Sequence, residues 1–284
     1  IFRFPRYQIR SNLHVIMNKL NVSAIFLSLL IYACTAKGPY STTNKIYKQQ
    51  AKEFARSLRE LPPLSPLNPA PFQAATTNFN LRKPNYVIIH HTAQNACEQT
   101  LKTFTMPKTE VSAHYVICKD GTIHHMLNDY FRAWHGGVAK WGTITDINSV
   151  SLGIELDNNG RDEFPQTQIN SLVALLASLK KTYNIPASNF IGHADIAPPR
   201  KQDPSVKFPW KQLADRGFGN WYDPLLDSVP ASFNHLHGLK MIGYDTRDTT
   251  AAIIPFKRHF IQTNTTPQLS QQEKAIINNL LKKY

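Results

Sequence analysis

Apolar residues recur along this chain in two rhythms. From Pro165 to Tyr183, the residues Ile169, Leu172, Val173, Leu176 and Tyr183 fall close to the three, four, seven spacing of one buried helix face. Lys180 and Lys181 sit in its last turns, where cations suit the helix dipole, and Pro186 ends it. Shorter, mostly apolar runs read as strands: Tyr86 to His90, Ser149 to Leu156 and Asn189 to Gly192. The segment VSAHYVICKDGTIHHML, residues 111–127, carries two β-rich runs joined at Asp120-Gly121, the strongest short turn signal in the chain. Another helix begins near Ala96. After WYDP at 221–224 the composition changes, and His235 to Met241, Thr249 to Phe260 and Ser270 to Leu281 read as short helices, the last with a capping-box start at Ser270 and Glu273. Strands alternating with helices, together with one hairpin, predict an α/β domain: a mixed central β-sheet flanked by helices, followed by a small helical region.

The first third of the chain is different. Residues 35–80 are polar, with a helical patch from Ile46 to Leu61 and then the Pro-rich LPPLSPLNPAP, an extended linker or arm. Upstream of it, Lys19, the apolar run Val22 to Ile31 and the small Ala33 before Cys34 have the make-up of an export signal. That run is too short to stay in a bilayer as a spanning helix. Ile31-Tyr32-Ala33-Cys34 also matches a lipoprotein cleavage site in which Cys34 is acylated, although Tyr32 is bulky for it; a plain secretory signal cut nearby is the alternative. Residues before Met17 carry Arg3, Arg6 and Arg10 without an acid and read as an over-long start or an untranslated leader. The expected divisions are therefore 1–34 leader and signal, 35–80 linker, 81–228 catalytic domain and 229–284 helical domain.

Composition changes this picture little, and charge changes it more. A hydrophobic content of 42% and a charged content of 18% are ordinary for a globular protein. The net charge is +13, and losing residues 1–33, with four cations and no acid, leaves +9. A basic surface favours a polyanionic partner: nucleic acid, an anionic membrane or a carboxylate-rich cell wall. No zinc finger, RNP motif or helix-turn-helix signature accompanies the charge, so no nucleic acid partner is expected. Three cysteines without a CxxC pair leave Cys97 and Cys118 either bridged or as buried thiols.

The reactive groups concentrate in IGHADIAPPRKQDPSVKFPW, residues 191–210. Within eleven residues it holds His193, Asp195, Asp203, Arg200 and Lys201, on a segment that Pro198, Pro199, Pro204 and Pro209 predict to be a stiff loop rather than a helix. One His and one Asp with a second His from elsewhere make an N/N/O set that leaves a coordination position open, as catalytic zinc requires. Glu155 is a lone carboxylate in an apolar strand, costly to bury unless paired or used. In the run ending His90-His91, adjacent strand residues face opposite ways, so only one of the two can serve a given site.

HADIAPPRKQDP resembles the zinc-binding loop of N-acetylmuramoyl-L-alanine amidases of the AmpD and AmiD kind. VIIHHTA at 87–93, RAWHGG at 132–137 and SLGIELDN at 151–158 fit the same family in the same order. The resemblance spans roughly Tyr86 to Trp221 and, more loosely, the tail, where it suggests a small peptidoglycan-binding-like domain. It implies the family's mixed α/β fold and hydrolysis of the amide joining the lactyl group of N-acetylmuramic acid to L-Ala of the stem peptide. It implies Zn2+ held by His90, His193 and Asp203, with Asp195 the chief rival to Asp203. Glu155 is then the general base facing the attacking water and Lys201 the oxyanion stabiliser. Trp134, His135 and Asn158 are expected at the substrate, and Arg200 either there or in loop structure. His91 is expected as a supporting or surface residue, and His114 beneath the active site or hydrogen-bonded to a neighbour. The implied partner is peptidoglycan or a muropeptide, reached by an exported protein, periplasmic or secreted, with outer-membrane attachment if Cys34 is acylated. Two alternatives remain at this point: a non-catalytic wall-recognition protein of the same fold, and a zinc peptidase cutting within the stem peptide.

Overall fold

The computed structural model describes residues 38–63, 66–68 and 70–284. The expected leader, export signal and Cys34 lie outside the described residues. The chain divides into two compact units, one reaching to Thr77 and the other running from Asn78 to Tyr284.

In the first unit, α1 (Ser41–Ser57) covers most of the expected helical patch. Beyond it, the described residues from Leu61 to Thr77 form neither helix nor strand, as their prolines predict. Among the described residues no helix is long and apolar enough to cross a membrane.

The second unit is built on a five-stranded sheet in the order β3-β2-β4-β1-β5, with β1 Tyr86–His91, β2 Tyr115–Ile117, β3 Ile123–His125, β4 Ser151–Leu156 and β5 Phe190–Gly192. β1 pairs parallel with β4 and β5, β2 pairs parallel with β4, and the β2-β3 hairpin is antiparallel. That hairpin turns at Asp120-Gly121 as expected, with Gly121 at φ +90° and Asp120 Oδ1 accepting from Thr122 N. α2 (Cys97–Thr105) lies between β1 and β2, and a disulfide joins Cys97 at its start to Cys118 just after β2, which settles the cysteine alternative.

Strand alternation sorts the sheet into two layers. Val87, Ile89, Leu152, Ile154, Leu156 and Phe190 face α3 (Gln166–Tyr183) and its Ile169, Leu172, Leu176 and Tyr183. Ile88 and Ile191 face the other way and join a core with Leu239, Ile242, Phe256, Phe260 and Ile277 from the C-terminal helices. These helices are α6 (His235–Ile242), α7 (Thr249–Phe260) and α8 (Gln271–Leu280), each N-capped by a side chain: Asn234, Asp248 and Ser270. The capping box read at Ser270 and Glu273 is present, with Ser270 N donating to Glu273 Oε2 at 2.7 Å.

One local expectation differs. The prolines after Gly192 predict a loop, but His193–Ile196 forms a single helical turn, α4, and Trp210–Ala214, where the segment ends, forms α5. The prolines begin only at Pro198, so the turn before them is free to wind, and the Asp195 carboxylate caps it by accepting from Gly192 N at 2.8 Å.

Candidate metal centre and active site

Three parallel strands deliver their carboxyl ends to one place. His90 is the fifth residue of β1 and stands in register with Glu155 of β4, and His193 follows directly on β5. Partners in register share a face, so the same alternation that buries Ile89 and Ile154 in one layer carries His90 and Glu155 to the opposite one. Ligands in α/β sheets commonly collect at the carboxyl ends of parallel strands.

Asp203 arrives from the loop after α4. Its Oδ2 lies 3.1 Å from His90 Nδ1 and 3.0 Å from His193 Nδ1, and the two Nδ1 atoms are 2.9 Å apart. Ligands held about 2.0–2.1 Å from a tetrahedral zinc stand roughly 3.3 Å from one another, so this triangle needs only slight opening to receive the ion. The protonation states suit it. Burial, and then the neighbouring His193, bring His90 down to about 4, so it is neutral at pH 7. Two imidazole nitrogens and one carboxylate oxygen fit a divalent cation of zinc's preferences.

Asp195 is elsewhere. Its Oδ1 accepts from Tyr244 Oη at 2.9 Å and its Oδ2 from His259 Nδ1 at 2.8 Å and Gly192 N at 2.8 Å. Both oxygens are taken up by the fold, and of the two aspartates only Asp203 meets the imidazoles.

Glu155 sits beside this triangle without a protein partner for Oε2. Burial first, and then the negative charge of Asp203, raise its pKa to about 8, with Lys201 opposing. Lys201 is near enough to act on the titration of His90 as well. A carboxyl poised near neutrality next to a cation site, with a lysine in range, is equipped to move a proton and to steady a developing negative charge.

The other residues named from the sequence take varied places. Trp134 is exposed at the surface (54%). His135 is buried between His90 Nε2, at 3.1 Å, and Ser151 Oγ, at 3.2 Å, rather than opening on a groove. Asn158 is fully buried, its amide donating to the Asp162 and Glu163 carbonyls and its Oδ1 accepting from Gly160 N, so it shapes the loop after β4. Arg200 donates to the Gly136 and Val138 carbonyls, both 2.8 Å away, which favours the loop-structure reading. His91 accepts from Ser205 N at 3.1 Å, and His114 is buried between Gly153 N and the Phe131 carbonyl. Sequence reasoning gave no role to Ser151, Tyr244 or His259. Ser151 carried a readable signal, because Ser151, Gly153 and Glu155 alternate with Leu152, Ile154 and Leu156 along β4.

Residues 80–206 match the family model described as N-acetylmuramoyl-L-alanine amidase. The amidase AmiD of Escherichia coli K12 is 32% identical over 230 residues, covering 70% of this chain and 82% of that protein. The 1,6-anhydro-N-acetylmuramyl-L-alanine amidase AmpD of the same organism is 39% identical over 103 residues, covering 36% of this chain and 56% of its own. Among solved structures, E. coli AmiD in complex with the substrate anhydro-N-acetylmuramic acid-L-Ala-D-gamma-Glu-L-Lys superposes with a TM-score of 0.64 at 29% identity, covering 75% of this chain and 93% of that one. AmpDH3 of Pseudomonas aeruginosa, in complex with anhydromuramic pentapeptide, gives a TM-score of 0.66 at 28% identity, covering 77% and 99%.

Proposed function

This chain belongs to the N-acetylmuramoyl-L-alanine amidase family, and on that premise we propose that it hydrolyses the amide between the lactyl group of N-acetylmuramic acid, anhydro or not, and L-Ala of the peptidoglycan stem peptide. The single observation that carries the reading is the convergence of His90, His193 and Asp203 within 3.1 Å of one another beside the unpartnered carboxyl of Glu155.

His90, His193 and Asp203 would hold the zinc. When bound, that ion supplies Lewis acidity that polarises the scissile carbonyl and makes water more acidic. Glu155 takes a proton from the attacking water at Oε2 and passes it to the departing amine nitrogen of L-Ala. The Lys201 ammonium would steady the oxygen on which negative charge grows, a contribution worth about 10²- to 10³-fold in rate for one such donor. Trp134, exposed next to His135, offers the wall polymer an aromatic face.

We assign the site to residues 81–228 and treat 229–284 as a helical region that covers the same face of the sheet. Export is supported by the signal-like Lys19 to Ala33 segment, with acylation of Cys34 as the membrane attachment, and the Cys97–Cys118 disulfide suits an oxidising compartment.

Digestion of muropeptides by the zinc-loaded protein, followed by mass spectrometry, tests the reading. Release of the intact stem peptide is expected. Products cut within the peptide would make the protein a stem peptidase, and binding without any product would make it a wall-recognition protein. Running intact sacculi beside anhydro fragments separates remodelling from recycling.

A further inference from the structure

Three hydrogen bonds in a chain from Ile147 to His90 decide where His90 keeps its proton. Ser151 Oγ donates to the Ile147 carbonyl at 2.6 Å, and a carbonyl can only accept. A hydroxyl has one proton, so toward His135 Nε2, 3.2 Å away, the same oxygen can only accept. A neutral His135 therefore carries its proton on Nε2 and presents a bare Nδ1. That atom lies 3.1 Å from His90 Nε2, which must be the donor. His90 Nδ1 is left as a lone pair facing Asp203 Oδ2 at 3.1 Å and His193 Nδ1 at 2.9 Å. His193 reaches the same state by a shorter route, because its Nε2 lies 3.1 Å from the Gly136 carbonyl and donates to it. Two lone pairs and a carboxylate oxygen then meet with no proton among them, an arrangement that a cation relieves.

Both routes begin in one dipeptide. Asn148 Oδ1 accepts from His135 N at 3.2 Å and Gly136 N at 2.8 Å, so a single amide pins the ring that serves His90 and the carbonyl that serves His193. The ring finds room only because β4 has glycine beneath it. A Cβ on Gly153 would lie 2.4 Å from His135 Cγ.

We propose that Ser151 and His135 are positioning residues, a relay that fixes His90 in its Nε2–H tautomer and so preforms the metal site before any ion arrives. The proposal rests on the reading of His90, His193 and Asp203 as the zinc ligands. Its physical content is that a neutral imidazole can carry its proton on either nitrogen, and any His90 protonated on Nδ1 must lose that proton before it can ligate. Outer partners of metal-bound histidines commonly set affinity in this way.

The test uses the full chain, stripped of zinc by chelation and labelled with 15N-histidine, with long-range proton–nitrogen correlations read for His90. Wild type should show the proton on Nε2. Ser151→Ala and His135→Phe should shift that signature toward Nδ1 and weaken zinc binding, measured against a chromophoric chelator, by roughly 10- to 100-fold. Ser151→Thr and His135→Gln, which keep an acceptor, should stay near wild type in both readouts. A wild-type His90 protonated on Nδ1 overturns the relay by itself, even if a variant fails to fold. So do folded Ala and Phe variants with unchanged tautomer and unchanged affinity. If wild type shows the Nε2–H tautomer yet binds no zinc, the relay stands and the metal reading falls.

Discussion

Asp195 accepts a hydrogen bond at 2.8 Å from the Nδ1 of His259, a residue 64 positions later, and both side chains are buried. His259 belongs to α7, while Asp195 lies two residues beyond a proposed metal ligand in α4. Tyr244, after α6, supplies a second donor to the same carboxylate, and Trp210 stacks on the His259 ring at 3.9 Å. The C-terminal helices thus hold the turn that presents His193. His259→Ala removes one donor from a buried carboxylate and should cost about 2–3 kcal/mol of stability. Zinc retention should fall with it, measured as loss of metal on dialysis against a weak chelator, because the turn is no longer held.

Asp203→Ala removes the charged corner of the triangle and should abolish zinc retention and turnover together. Asp195→Asn, which disturbs the contacts that hold the turn, should lower thermal stability and weaken zinc retention only in part. Metal content by atomic emission after gel filtration distinguishes the two; zinc retained by Asp203→Ala would overturn the ligand assignment.

Glu155→Gln keeps the shape and removes the titrating group. Turnover should fall by about 10²- to 10⁴-fold with zinc still bound. In metal-free protein the sign of the pH effect follows from the raised carboxyl. The unfolded chain releases this proton near pH 4.5, whereas the folded one holds it to about 8. The contribution of Glu155 to stability is therefore fully present below pH 4.5 and is lost as pH rises through 8. Glu155→Gln should gain on wild type in melting temperature between pH 5 and pH 8, and parallel curves across that range would contradict the raised pKa.

The Cys97–Cys118 disulfide closes a loop with a sequence separation of 21, which on chain-entropy grounds stabilises the fold by about 3 kcal/mol. Replacing both cysteines by serine should lower the urea midpoint accordingly. Zinc affinity should be unchanged, because the bridge ties α2 to β2 rather than to the metal ligands.

Gly153→Ala should be among the most damaging of small substitutions in the chain. The added methyl meets the His135 ring at less than contact distance, within a packed layer. Folded yield and zinc content should both drop, whereas Gly142→Ala, at a position with open space around the missing Cβ, should cost only the strain of its positive φ.

Much of this architecture was legible because it is local. The α3 face from Ile169 to Tyr183, the Asp120-Gly121 turn and the Ser270 cap each declare themselves within a few residues. The opposite facing of His90 and His91 followed from strand alternation alone. Which aspartate faces the metal did not: spacing left Asp195 and Asp203 open, and only the family resemblance separated them. The deciding contacts, Tyr244 and His259 on Asp195, span 49 and 64 positions and leave no periodic trace. His135 was misleading for a related reason. Its RAWHGG setting suggested a groove, whereas its burial depends on a missing side chain at Gly153, in a different strand.

The two adjacent histidines of β1 grip a single loop from opposite faces: His90 meets Asp203, and His91 accepts from the amide of Ser205. Because side chains alternate with a period of two, sliding this strand by one place would turn both imidazoles over together. His90 would land in the aliphatic layer and His91 beside Glu155. Insertions or deletions within Tyr86–His91 should therefore destroy metal uptake even when every donor is still encoded.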